Sequence, residues 1–126
     1  SLRAELEAAI PGAKIAVAGL QEAAGRFDLL INATPVGMYP HADAMPVSEK
    51  QLSGCAHVFD AVYNPRQTLL LQRAAEAGIP AVGGMPMLVW QAVRAHEIWD
   101  GVAYERKDIE KLVDDSYAEM ERLFHK

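Results

Sequence analysis

The sequence predicts an α/β domain built on a parallel sheet with helices against it. Two observations carry this. Short, nearly continuous apolar runs such as Phe27–Ile31 and Val58–Val62 alternate with helical patterns, as strands covered on both faces do. Each run also ends in small, polar or glycine positions, at Asn32–Met38, Tyr63–Pro65 and Gly83–Gly84. In an open α/β sheet, ligands sit at such carboxyl ends.

Taken in order, Leu2, Leu6 and Ile10 recur at helical spacing up to Pro11-Gly12, which ends a short amphipathic helix. Lys14–Ala18 reads as a short strand, Gly19–Arg26 as a turn or short helix, and Phe27–Ile31 as a doubly covered strand. Residues 33–55 hold three prolines and Gly37 and Gly54, so they form a long loop with one helical turn near Ser48–Leu52. Loops of that length inside a compact domain usually serve function. Strand Val58–Val62 leads through Asn64-Pro65 into a helix over Gln67–Ala77, with Gly78 suited to a left-handed cap. Ile79–Val82 is the next strand. Pro86 fits the first turn of a mostly apolar, largely buried helix that runs to Trp99 and stops at Gly101. The last helix, about Lys107–Phe124, carries Ile109, Leu112, Val113, Tyr117, Met120 and Phe124 on one stripe, which packs on a neighbouring surface. Right-handed crossovers join the strands.

Length and composition bound the function. At 126 residues the chain is one domain, large enough to bury roughly two thirds of its unfolded surface. Its 51% hydrophobic and 23% charged residues fit an ordinary globular protein. A net charge of -5, with Lys and Arg scattered, gives no attraction to nucleic acid or anionic membrane. A small-molecule partner is expected. Cys55 stands alone, so there is no internal disulfide, and no zinc-ligand spacing occurs. No run approaches the roughly 18 apolar residues of a membrane span. Ser1–Glu5 is too acidic for a signal peptide, so a cytoplasmic location is the default expectation.

Gln91 lies between Met87 and Ala95 and beside Leu88, which places its amide on an apolar helical face. There it either bonds neighbouring backbone or points to a ligand. Tyr63 follows a strand, so its ring packs while its hydroxyl can stand at the sheet edge. Thr34 offers a hydroxyl at a strand end, and Gly83-Gly84 allows close backbone approach ahead of a helix. Asp60, inside a strand, must either pair or face a polar crevice. Histidines 41, 57, 96 and 125 show no relation to a nucleophile. No Gly-x-Gly-x-x-Gly turn occurs, so a dinucleotide's pyrophosphate cradle is not in this chain.

Taken together, DLLINATPVGM (28–38), FDAVYNPRQT (59–68), GGMPMLVWQ (83–91) and WDGV (99–102) resemble the carboxyl-terminal half of shikimate dehydrogenase in order and separation. The resemblance implies a partial Rossmann-like sheet: the carboxyl-terminal portion, residues 1–126, of an NADP-binding lobe. The glycine-rich loop and the amino-terminal substrate lobe with its catalytic Lys and Asp are then absent, and the last helix packs back on the missing lobe. It further implies that Thr34, Ala61 and Gly84 lie along NADP, with NAD not excluded. Tyr63 and Gln91 are then contacts to shikimate or 3-dehydroshikimate, and no catalytic or metal-binding residue lies in this chain. The reaction implied is reduction of the 3-dehydroshikimate ketone by NADPH, in aromatic amino acid biosynthesis. Two alternatives are a quinate-using relative and a non-catalytic half acting as a binding or assembly module. A sheet cut after its early strands exposes an apolar edge, so the isolated chain is expected to dimerise, swap elements or dissolve poorly.

Overall fold

The computed structural model describes residues 1–124. Its elements run α1 (Leu2–Ala9), a 3₁₀ turn (Leu20–Glu22), β1 (Leu30–Asn32), α2 (Glu49–Leu52), β2 (Val58–Asp60), α3 (Leu69–Glu76), β3 (Ala81–Val82), α4 (Met85–Asp100) and α5 (Arg106–Phe124). The three strands form one parallel sheet in the order β1-β2-β3. The α/β expectation holds, and Thr68 and Ser48 cap α3 and α2 by accepting the backbone N–H groups of Leu71 and Gln51. Gly78 and Gly101 take left-handed backbone at φ +70° and +66° after α3 and α4, as the helix stops require.

Register explains where the core lies. Leu30, Val58 and Ala81 align across the sheet and point to the side packed by Leu52, Leu70 and Ala74. The alternate row, Ile31, Phe59 and Val82, faces the other way. Ile31 is 57% and Val82 53% exposed, and Leu29 and Phe27 on the same side of the incoming strand are also exposed. The sheet is therefore covered on one face, which corrects the doubly covered reading of Phe27–Ile31. A second cluster joins α4 to α5, where Met85, Val89 and Val93 meet Ile109, Tyr117 and Met120. The stripe on the last helix thus finds a surface within the chain, although Leu112 and Phe124 remain half exposed.

Three further expectations change. Lys14–Ala18 forms no strand; Val17 is 74% exposed, and an extended segment without a neighbouring strand has no ladder to join. The regular part of the first strand is shorter and later than Phe27–Ile31, with Phe27 making only an isolated bridge to Cys55. Helix α4 is not largely buried. Its covered stripe is Met85, Val89 and Val93, while Ile98 and Trp99 are exposed at its far end, past the reach of α5.

Candidate functional site at the strand ends

All three strands end on the same side, and the segments leaving them form the candidate site. Its centre is Asp60, which is fully buried. Its Oδ1 accepts the Asn32 amide at 2.9 Å and the Val62 N–H at 3.1 Å. Its Oδ2 accepts the Thr68 hydroxyl at 2.6 Å. Every partner donates, and both carboxyl oxygens accept. Thr68 in turn accepts the Leu71 N–H at 3.3 Å and so caps α3. Asn32 also donates to the Val36 carbonyl at 3.2 Å. One carboxylate thereby joins the loop after β1, the turn after β2 and the start of α3.

Thr34 stands on that loop, exposed. Its N–H and hydroxyl both donate to Asn32 Oδ1, at 3.1 and 2.7 Å. Its hydroxyl proton is committed inside the turn, so a ligand meets its methyl and backbone. Ala61 donates its N–H to the Asn32 carbonyl at 2.9 Å. Gly84 donates its N–H to the Val62 carbonyl at 3.0 Å. A β-carbon on Gly84 would stand 2.1 Å from the Ala61 carbonyl oxygen. The need for glycine here is space between two backbones, because φ is an unstrained -81°.

Tyr117 supports the same turn from below. Its ring is buried against Met85, and its hydroxyl lies beside Gly83, 3.3 Å from where a β-carbon there would stand. The Arg66 guanidinium lies 4.5 Å from the ring centroid. Burial pushes the Tyr117 phenol above its ordinary value.

Tyr63 is 41% exposed and borders an open apolar groove of about 610 Å³ between α4 and α5, with Met85, Leu88 and Met120. Gln91 is exposed, which corrects its placement on an apolar face. It lies about 200° around the helix from the buried Val89 and Val93, and among the described residues its amide makes no hydrogen bond. The structure thus couples Thr34, Ala61 and Gly84 through backbone and buried polar groups, and leaves Tyr63 and Gln91 as separate, accessible side chains.

Sequence reasoning singled out Asp60 without a partner and missed Asn32, Thr68 and Tyr117. A signal for Thr68 was present: an acid in an apolar strand, with a threonine eight residues on at a helix start. Cys55 is buried, and burial pushes its thiol above the ordinary value. Among the described residues no hydrogen bond joins a histidine to a hydroxyl or thiol: His57 meets the Asp28 carbonyl and His96 pairs with Asp100; His125 lies outside the described residues. No group of metal-ligating side chains occurs among the described residues, and no helix there is long and apolar enough to cross a membrane.

No family model matches the chain. A curated relative from Clostridium perfringens, "Shikimate dehydrogenase (NADP(+))", is 41% identical over 86 residues, covering 68% of this chain and 32% of its own length. A chorismate mutase/shikimate 5-dehydrogenase fusion protein from Clostridium acetobutylicum superposes with a TM-score of 0.70 at 34% identity, over 75% of this chain and 35% of that one. A shikimate dehydrogenase solved in complex with NADP+ gives 0.63 at 35% identity, over 71% and 32%. The chain spans about a third of the length of these relatives. Over the matched residues it belongs to the shikimate dehydrogenase family.

Proposed function

We propose that this chain is the carboxyl-terminal portion of the NADP-binding lobe of a shikimate dehydrogenase. In the complete protein it would take part in NADPH-dependent reduction of 3-dehydroshikimate to shikimate, in the cytoplasm. The observation that carries the reading is the set of small residues, Thr34, Ala61 and Gly84, held against one another where the parallel strands end. Thr34 is exposed and Ala61 half-buried, while Gly84 is buried against the Ala61 carbonyl, and this lack of bulk suits a flat ring such as the nicotinamide end of the cofactor. They do not supply a pyrophosphate cradle, which needs a glycine-rich turn that this chain lacks. When bound, NADPH supplies the hydride. This chain's part is to seat the ring against Ala61 and Gly84 and to hold the substrate through the free amide of Gln91 and the hydroxyl of Tyr63. With no proton-transferring pair assigned to it, the chain alone is catalytically incompetent.

Quinate is the competing substrate, since it offers the same hydroxyl-bearing ring to Tyr63 and Gln91. Shikimate titrated into the isotope-labelled chain should shift the Gln91 side-chain amide and the Tyr63 ring signals, less so in Gln91→Ala, while NADP+ with shikimate gives no turnover. A larger response to quinate favours the relative. Turnover like that of a complete enzyme would refute the incompetence of the fragment, and silence of both residues at saturating shikimate and quinate would remove them as substrate contacts.

A further inference from the structure

The strand-end segments that carry Thr34, Ala61, Tyr63 and Gly84 are separate in sequence, and only the last runs directly into a helix, with Gly84 at the N-cap of α4. What joins them is one buried side chain. Asp60 receives Asn32 from the first segment, the Val62 N–H from the second and the Thr68 hydroxyl from the start of α3. Val62 passes the link to the third segment, because its carbonyl accepts the Gly84 N–H. Asn32 passes it to Thr34 and Val36. Among the described residues no cation pairs with Asp60, so the carboxylate is satisfied only by these neutral donors, and each donor has Asp60 as its acceptor within the interior. Such a network fixes geometry only while complete, since a buried polar group that loses its partner must move or carry a penalty.

We propose that Asp60 is the positioning residue of this site, a carboxylate that sets the mutual placement of the three strand-end segments and acts on ligand through them without touching it. The proposal rests on the strand ends being the binding face. It assigns Asp60 a role that charge pairing and core packing do not explain. A hydrophobic residue would fill the same space but leave three donors unmet, and a surface acid would meet none of them.

The test uses Asp60→Asn, which keeps shape but replaces one acceptor by a donor, with Thr68→Val and Thr68→Ser as a loss-and-rescue pair. Residue-resolved amide exchange of the 126-residue chain is followed at low denaturant. The expected result is that exchange at Thr34, Val36, Val62 and Gly84 rises together by about tenfold in Asp60→Asn, the factor that losing one buried hydrogen bond gives. Ala74, in the core and inside α3, should hold its protection. Thr68→Val should raise exchange at Val62, and Thr68→Ser should restore it. Shikimate titration of the same samples separates the two readings. If wild-type signals move with shikimate and those shifts weaken by at least about threefold in Asp60→Asn at unchanged core protection, Asp60 positions the site. If the strand ends loosen together but wild type ignores shikimate, the coupling stands and the ligand reading falls. Unchanged exchange at the strand ends, or a rise shared equally by Ala74, overturns the proposal.

Discussion

Replacing Gly84 with alanine sets two effects against each other. Gly84 has φ -81° and ψ -16°, a conformation alanine adopts freely, so the loss of unfolded-chain entropy alone predicts a gain of about 0.4–1 kcal/mol. The added methyl, however, would lie 2.1 Å from the Ala61 oxygen, 2.6 Å from its carbon and 3.0 Å from the Val62 carbon. All three are backbone atoms of one turn, so no side chain can swing away. Relief requires α4 to retreat by more than about 1 Å to regain ordinary contact distance. That lengthens the Gly84 N–H to Val62 bond, now 3.0 Å, and leaves a buried donor unmet at a cost of about 1–3 kcal/mol. Residual overpacking adds about 1–3 kcal/mol. The clash wins, and the net loss is about 2–4 kcal/mol. Urea unfolding should show the midpoint falling by at least about 1 M at constant slope, since chains of this size have slopes of about 1–2 kcal/mol/M. A Gly84→Ala chain as stable as wild type, or more stable, would refute the close-contact argument.

The Tyr117 phenol is held above its ordinary value near 10 by burial. The folded state therefore binds the proton more tightly than the unfolded one, and the associated stability is complete below pH 10 and declines as pH climbs beyond it toward the folded value. Tyr117→Phe should flatten that alkaline decline relative to wild type when unfolding is followed from pH 8 to 11; parallel curves would remove Tyr117 as its source. The second outcome concerns the open sheet face. The chain exposes 8915 Å², against about 6,600 Å² for a compact monomer of its mass. The difference of about 2,300 Å² is of the size obligate partners bury. The 126-residue chain should therefore self-associate in sedimentation experiments, and Ile31→Lys at the centre of the open row should shift it toward monomer. A compact wild-type monomer at high concentration would contradict this.

Much of the fold was legible because local rules and tertiary context agree. Gly78 and Gly101 stop helices for steric reasons that no neighbour can override, and Pro86 falls in the first turn of α4, as its fixed backbone allows. Residues whose state depends on distant partners were less so. Lys14–Ala18 has strand composition but no strand beside it, and Phe27–Ile31 is apolar enough for two covers but receives one. Gln91 has apolar neighbours in sequence, yet only the position of α5 decides which side of α4 is buried. The candidate site shows the same division. Glycine at 84 and threonine at 34 can be read as strand-end chemistry, whereas the Asn32–Asp60–Thr68 network joins residues 28 and 8 positions apart and emerges only when the strands align.

The turn at Thr34 has a consequence for recognition. Because Asn32 takes both the N–H and the hydroxyl proton of Thr34, this strand end has spent its directional donors on itself. What it offers outward is contour, a methyl and a flat stretch of peptide against which a planar group can slide without being asked for a hydrogen bond. Discrimination between ligands of equal thickness is then left to residues farther out, and the strand end acts as a gauge of shape.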